Sequence, residues 1–183
     1  MNDKNSIRQQ LKSKRQALTA DQVTQHSHSI CQKIINTYLD GTHKHIGIYL
    51  PFGNEVNLQP LLSTDSSCYI PSINKLNMQF QLWTESLKIQ PHSLGMKQPL
   101  FIDNLPEAEL DICFMPLLGY DKQSNRLGMG GGFYDRYFEN NRHNTKLIGV
   151  AHDCQFWPSL PHDDWDVTLD GIVTESQHLI FQK

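Results

Sequence analysis

Short apolar runs that alternate with helical segments do most to restrict how this chain folds. Five of them read as buried strands: "HIGIYLP" at 45–51, "CYIPSI" at 68–73 ending at its proline, "DICFMPLLGYD" at 111–121, "KLIGVAHD" at 146–153 and "LDGIVTE" at 169–175. A sixth, "NMQFQLW" at 77–83, alternates, with Met78, Phe80 and Leu82 on one face, and is expected to form a hairpin with its neighbour. Residues 6–39 carry two helical stripes, Ile7, Leu11 and Leu18, then Val23, Ile30, Ile34, Tyr38 and Leu39. "TADQ" at 19–22 is a capping-box pattern and divides the region into two helices near residue 19, and Gly41 suits the closing cap. "EVNLQPLL" predicts a short helix, "LGMKQP" at 94–99 a loop, and "FYDRYFEN" a helix with Phe133, Tyr137 and Phe138 on one side. Alternation of this kind predicts an α/β fold, layered, with a mainly parallel sheet and helices on both faces. Such sheets bind ligands beyond the carboxyl ends of their strands. That draws attention to "PFGNE", "GYDKQSNRLGMGGG" and "AHDCQF".

The chain's 183 residues fit one domain, 1–183, large enough to bury a core. A net charge of -3 gives no general affinity for nucleic acid. Cys31, Cys68, Cys113 and Cys154 are far apart and form no CxxC pair, which argues against structural zinc and for reduced thiols in a cytoplasmic protein. The N-terminal segment lacks the apolar stretch of a signal peptide, and no apolar run reaches the ~20 residues needed to cross a bilayer. Nine histidines are scattered, with His26/His28 and His43/His45 the close pairs, and are expected to face solvent.

"RLGMGGGFYDRYF", 126–138, places Gly128, Gly130, Gly131 and Gly132 within five positions. Glycines let a ligand reach the main chain, and free N–H groups before a helix start would form an anion cradle. A flexible surface loop is the competing reading. Arg126 and Arg136 bracket the cluster with cations suited to phosphate, and Asp135 is an oxygen ligand of the kind magnesium uses beside phosphates. The segment is neither a P-loop nor a dinucleotide fingerprint, because GxxxxGK[ST] is absent and position 133 is Phe.

"RLGMGGGFYDR" closely resembles the signature of the 5-formyltetrahydrofolate cyclo-ligase family. The likeness extends through "KNSIRQQLKSKRQAL", "IGIYLPFGNEVN", "DICFMPLLGYD", "LIGVAHDCQF" and "LPHDDWDVTLDGIVTE", in the family's order. It departs at Asn5, Ser124, Met129 and Trp165, where the family often has a basic residue, a glycine, an aromatic and a histidine.

The resemblance implies an ATP- and magnesium-dependent enzyme on a fold resembling that of sugar-phosphate isomerases and coenzyme A transferases. It would phosphorylate the formyl oxygen of 5-formyltetrahydrofolate, close the ring to 5,10-methenyltetrahydrofolate, and release ADP and phosphate. The implied ATP contacts are Lys4, Asn5, Ser6, Ile7 and Arg8 with Arg126, Leu127, Gly128, Met129, Gly130, Gly131, Gly132, Phe133 and Tyr134. Leu50, Glu55, Met129, Gly130, Gly131, Gly132 and Phe133 would contact the folate. Tyr134, Arg126 and Arg136 would assist phosphoryl transfer, and Asp135 and Asp166 would hold magnesium, with Asp163, Asp164 and Asp170 as competitors for the second place. Arg15 has no assigned role, and Met78, Phe80 and Trp83 fit a folate pocket or a core strand equally. The expected partners are the two small-molecule substrates, with no nucleic acid or membrane, and a monomer is expected. Two alternatives stay open: a sugar-phosphate isomerase-like enzyme on the same fold, and a non-catalytic nucleotide- or RNA-binding module.

Overall fold

The computed structural model describes residues 3–41 and 44–182. Two helices open the chain, α1 (Lys4–Gln16) and α2 (Ala20–Tyr38). The predicted break is where the capping chemistry puts it. Thr19 accepts from the Gln22 N–H while the Gln22 side chain accepts from the Thr19 N–H. Gly41 takes a left-handed φ of 92° just past α2, as a closing glycine should. His43 lies outside the described residues.

The sheet has seven strands. In chain order they are β1 (His45–Gly47), β2 (Ser67–Asn74), β3 (Asn77–Leu82), β6 (Ile112–Pro116), β9 (Lys146–Val150), β10 (Gly171–Val173) and β11 (His178–Ile180). Their spatial order is β11-β10-β9-β6-β1-β2-β3. The five inner strands are parallel, and the two edges are antiparallel hairpin partners. Two short ribbons lie outside it: β4 (Ile89–Pro91) with β5 (Lys97–Pro99), and β7 (Gly119–Tyr120) with β8 (Arg126–Leu127).

Strand alternation divides the core in two. Ile46, Ile48, Ile112, Phe114, Ile148 and Val150 pack with Ile30 and Ile34 of α2 on one face. Cys113, Met115, Leu147 and Ile172 pack on the other with Tyr137 and Phe138 of α3 (Phe133–Asn141). Helices therefore cover both faces, as predicted.

Several local expectations are corrected. β2 spans Ser67–Asn74, close to the expected 68–73, but Pro71 lies inside the strand rather than at its end. Tyr69 accepts from Ile48 and Ile73 exchanges hydrogen bonds with the Gln98 side chain, so Pro71 sits between them on an edge where β1 has already ended. The alternation of β3 fails at its end: Leu82 is 46% exposed, while Gln81 is buried and donates to Ser72 and to the Leu100 carbonyl. Half of the "LGMKQP" loop is strand β5. "EVNLQPLL" forms only a 3-10 turn at Gln59–Ser63, begun by Pro60. Phe133 is half-buried and does not share the buried side of α3 with Tyr137 and Phe138. The histidines are not uniformly exposed, because His152 is completely buried.

Helix α1 packs outside these layers. Ile7 and Leu11 bury against Leu127 and Leu160, and a Cβ on Gly119 would lie 2.4 Å from the Leu11 side chain. Only glycine lets α1 approach this close, and the approach places the helix's first turns beside the segment that follows β8.

Candidate functional site

A cavity of about 580 Å³ opens at the carboxyl end of the sheet. Its charged and polar lining includes Lys4 and Arg8 of α1, Tyr49 and Glu55 after β1, residues 126–136, and Asp163 and Asp166 near the end, with further walls from β2, β3 and the segment around β5. A second cavity of the same volume, under residues 101–108, is lined by Asp103 and Glu107 and by no lysine or arginine, so it does not suit a phosphate.

The glycine segment bends through two left-handed positions, Gly130 at φ 100° and Gly132 at φ 63°. Both conformations exclude ordinary side chains. Gly132 is also the residue at which α3 begins, with no side-chain cap. The first N–H groups of α3 therefore have no acceptor within the helix. Carbonyls of the loop are held from outside: Arg8 Nε donates to Gly128 O at 3.0 Å and Arg136 Nη2 to Gly131 O at 2.8 Å. Arg136 also stacks on the Phe133 ring at 5.2 Å. The turn before the loop rests on Asp121, fully buried and accepting from Gln123, Asn125 and Leu160 N–H groups. Ser124 in that turn adopts a φ of 67°, the conformation glycine prefers.

Charges meet in three arrangements. Arg126, whose side chain is 4% exposed, pairs with Asp135 Oδ1 at 2.5 Å, and the same oxygen accepts from Val167 N–H. Lys4 Nζ lies 2.6 Å from Asp163 Oδ2 and 2.5 Å from Asp166 Oδ2. Burial raises the Asp166 carboxyl, but the hydrogen bonds from Lys4 and the Asp163 N–H and the charges of Lys4 and Arg126 together hold it below its ordinary value. Asp135 Oδ2 and Asp166 Oδ1 have no protein hydrogen bond among the described residues.

Glu55 accepts from the Phe52 N–H at 2.9 Å and from Arg15 at 3.2 Å. Burial raises its carboxyl above the ordinary value, and Arg15 pulls it back. Tyr134 sits half-buried near the rings of Phe80 and Phe138. Desolvation raises its phenol well above 10, with the nearby Cys113 and Glu55 adding to the shift, so it stays a proton donor.

Of the expected site residues, Lys4, Arg8, Leu50, Glu55, residues 126–136 and Asp166 line this one cavity. Asn5, Ser6 and Ile7 do not. Asn5 accepts from Arg8, the Ser6 hydroxyl faces Gln10, and Ile7 is buried in the core. Met78 lines the cavity, while Phe80 and Trp83 are packed into the two core clusters. Arg15 belongs to the site through Glu55, a role its spacing allowed, since positions 7, 11 and 15 share one buried face of α1. Lys97 and Gln98 of β5 also line the cavity, but nothing local in the sequence marks them.

Residues 1–175 match the 5-formyltetrahydrofolate cyclo-ligase family. The 5-formyltetrahydrofolate cyclo-ligase of Haemophilus influenzae is 34% identical over 177 residues, covering 91% of this chain and 95% of that protein. The enzyme of the same name from Escherichia coli is 32% identical over 183 residues, covering 91% and 97%. Among solved structures, a 5,10-methenyltetrahydrofolate synthetase from Aquifex aeolicus superposes with a TM-score of 0.85 at 22% identity, covering 98% of this chain and 93% of that one, a likeness of fold. The one from Mycoplasma pneumoniae gives a TM-score of 0.73 at 28% identity over 95% and 99%.

Proposed function

The chain belongs to the 5-formyltetrahydrofolate cyclo-ligase family, and we propose that it uses ATP to convert 5-formyltetrahydrofolate to 5,10-methenyltetrahydrofolate, releasing ADP and phosphate. The observation that carries this reading is the convergence of Lys4, Glu55, Tyr134 and Asp166 around the glycine segment in one cavity. Residues 1–183 act as one domain and as a monomer in the cytoplasm. Among the described residues no helix is long and apolar enough to cross a membrane.

A formyl oxygen is a poor leaving group, and phosphorylation makes it a good one. Little covalent chemistry is asked of the protein, so positioning and charge supply most of the catalysis. The N–H groups of Gly128–Phe133 and the start of α3 would receive ATP phosphates. Lys4, Arg8, Arg126 and Arg136 would neutralise them, with Arg136 also holding the loop in shape through the Gly131 carbonyl. Leu50, Met129 and Phe133 would border the folate, and Glu55 would accept hydrogen bonds from its pterin amines. Tyr134, which keeps its proton, would donate to the reacting oxygen as charge builds there. The second folate nitrogen, an amine outside the pterin ring, then attacks the activated carbon and gives up its proton as phosphate leaves.

Asp135 and Asp166 fit magnesium, because each is an oxygen donor on the cavity wall with one carboxylate oxygen not engaged by the protein. When bound there, the ion would neutralise phosphate charge. The test is direct: purified protein with 5-formyltetrahydrofolate, ATP and magnesium should generate the near-ultraviolet absorbance of the methenyl product. No absorbance from folded protein and intact substrate would defeat the reading. Turnover of a sugar phosphate without ATP would instead favour the isomerase-like alternative.

A further inference from the structure

His26, His152 and Glu175 come together outside the lining of the catalytic cavity. They arrive from three elements: His26 from α2, His152 from just after β9, and Glu175 from just after β10. Nδ1 of His26 lies 3.1 Å from Nδ1 of His152 and 3.3 Å from Glu175 Oε1. One ligand atom from each residue can be chosen so that all three fall within 4.8 Å of one another. In a tetrahedral zinc site with bonds of about 2.0–2.1 Å, neighbouring ligand atoms stand roughly 3.3 Å apart. The two closest separations here match that edge.

The surroundings prepare the ligands. His152 Nε2 lies 3.1 Å from the Asn54 carbonyl, an acceptor only. That contact puts the proton on Nε2 and leaves a lone pair on Nδ1, the arrangement by which proteins orient metal-bound histidines. Both carboxylate oxygens of Glu175 accept from the Asp153 N–H, at 3.1 and 3.0 Å. His26 Nδ1 thus faces two acceptors with a single proton at most to share. One cation between the three atoms would satisfy all of them. The His26 and Glu175 side chains are 21% and 18% exposed, so water can reach a fourth coordination position.

We propose that His26, His152 and Glu175 bind a zinc dication, with water as fourth ligand. The ion fastens α2 to the ends of β9 and β10, and through Asn54 it steadies the segment that carries Glu55. The inference is independent of the reaction assigned to the cavity.

The test uses the full chain, stripped with a chelator and held in excess magnesium to saturate the other carboxylates. Cobalt(II), as a spectroscopic substitute for zinc, should bind one equivalent and give the intense visible bands of a four-coordinate ion. Added zinc should bleach them and raise the melting temperature. His26→Ala, at a part-exposed helix position, should keep its far-ultraviolet circular dichroism, lose the bands, and bind zinc roughly 100-fold more weakly. Glu175→Gln should weaken binding in the same sense. Absence of stoichiometric binding to the wild-type chain, or unchanged bands and melting shift in both variants, overturns the proposal.

Discussion

Arg126 reaches Asp135 across the glycine segment, from one end to the other of a stretch spanning nine positions, and Asp135 in turn holds the Val167 N–H. The pair therefore fixes the loop's mouth and ties it to the late acidic segment. A residue so placed affects both chemistry and stability, and the two must be separated by the choice of substitution. Asp135→Asn keeps volume and hydrogen bonding but removes the charge. Turnover should fall by at least about 10²-fold, by analogy with lost charge-stabilising groups. Initial rates across a magnesium series check this; a normal rate with normal magnesium dependence would sink the metal role.

Tyr134→Phe removes one hydroxyl and leaves the ring contacts to Phe80 and Phe138. Since the hydroxyl is assigned to the reacting oxygen, kcat should drop by about 10- to 100-fold with KM for both substrates little changed. A raised KM at constant kcat would instead make Tyr134 a binding residue.

Arg15 and Glu55 are a nearly buried ion pair, with side chains 4% and 11% exposed. Removing one partner of such a pair strands the other and costs about 3 kcal/mol. Arg15→Ala should therefore lower the urea midpoint markedly. Glu55→Gln, which keeps the shape, should raise KM for the folate by more than KM for ATP. Equal effects on the two KM values would remove Glu55 from the pterin site.

Burial lowers His152 to about 4, with the neighbouring His26 and Arg15 helping and the Asn54 hydrogen bond opposing. An unfolded chain takes up this proton below its ordinary value of 6.5, whereas the folded one resists until near 4. Stability is thus fully present above pH 6.5 and declines as pH falls towards 4, by about 2–3 kcal/mol in the metal-free chain. His178, also lowered by burial, acts in the same direction. Urea midpoints at stepped pH in chelator should show the decline, and His152→Gln should flatten it. An identical slope in the variant would show that other groups carry it.

The inner strands and the helix break could be read from sequence because their causes are local: apolar runs buried on both faces, and a Thr19–Gln22 cap. The glycine segment was equally readable, since left-handed backbone at Gly130 and Gly132 demands that residue. Strands β5, β7, β8 and β11 left little trace. They are two or three residues long, and their partners, not their own periodicity, make them strands. The Arg15–Glu55 pair and the His26–His152 contact join residues 40 and 126 positions apart, which no local pattern encodes. Their stripes were visible; their partners were not.

Lys4 meets Asp163 and Asp166 across 159 and 162 positions, so the two ends of the chain must both be present before the cavity has its walls. Contacts this distant form late, after the closure entropy of the intervening chain has been overcome. A nascent chain still short of its last quarter can assemble β1, β2 and β6 with α2 and can seat Leu11 and Arg8 on Leu127 and Gly128, yet it lacks Asp163 and Asp166, the acids that hold Lys4. Substrate-binding capacity should therefore appear abruptly once residues 163–166 can fold back onto α1 rather than grow with chain length, and ATP or folate cannot assist folding until then.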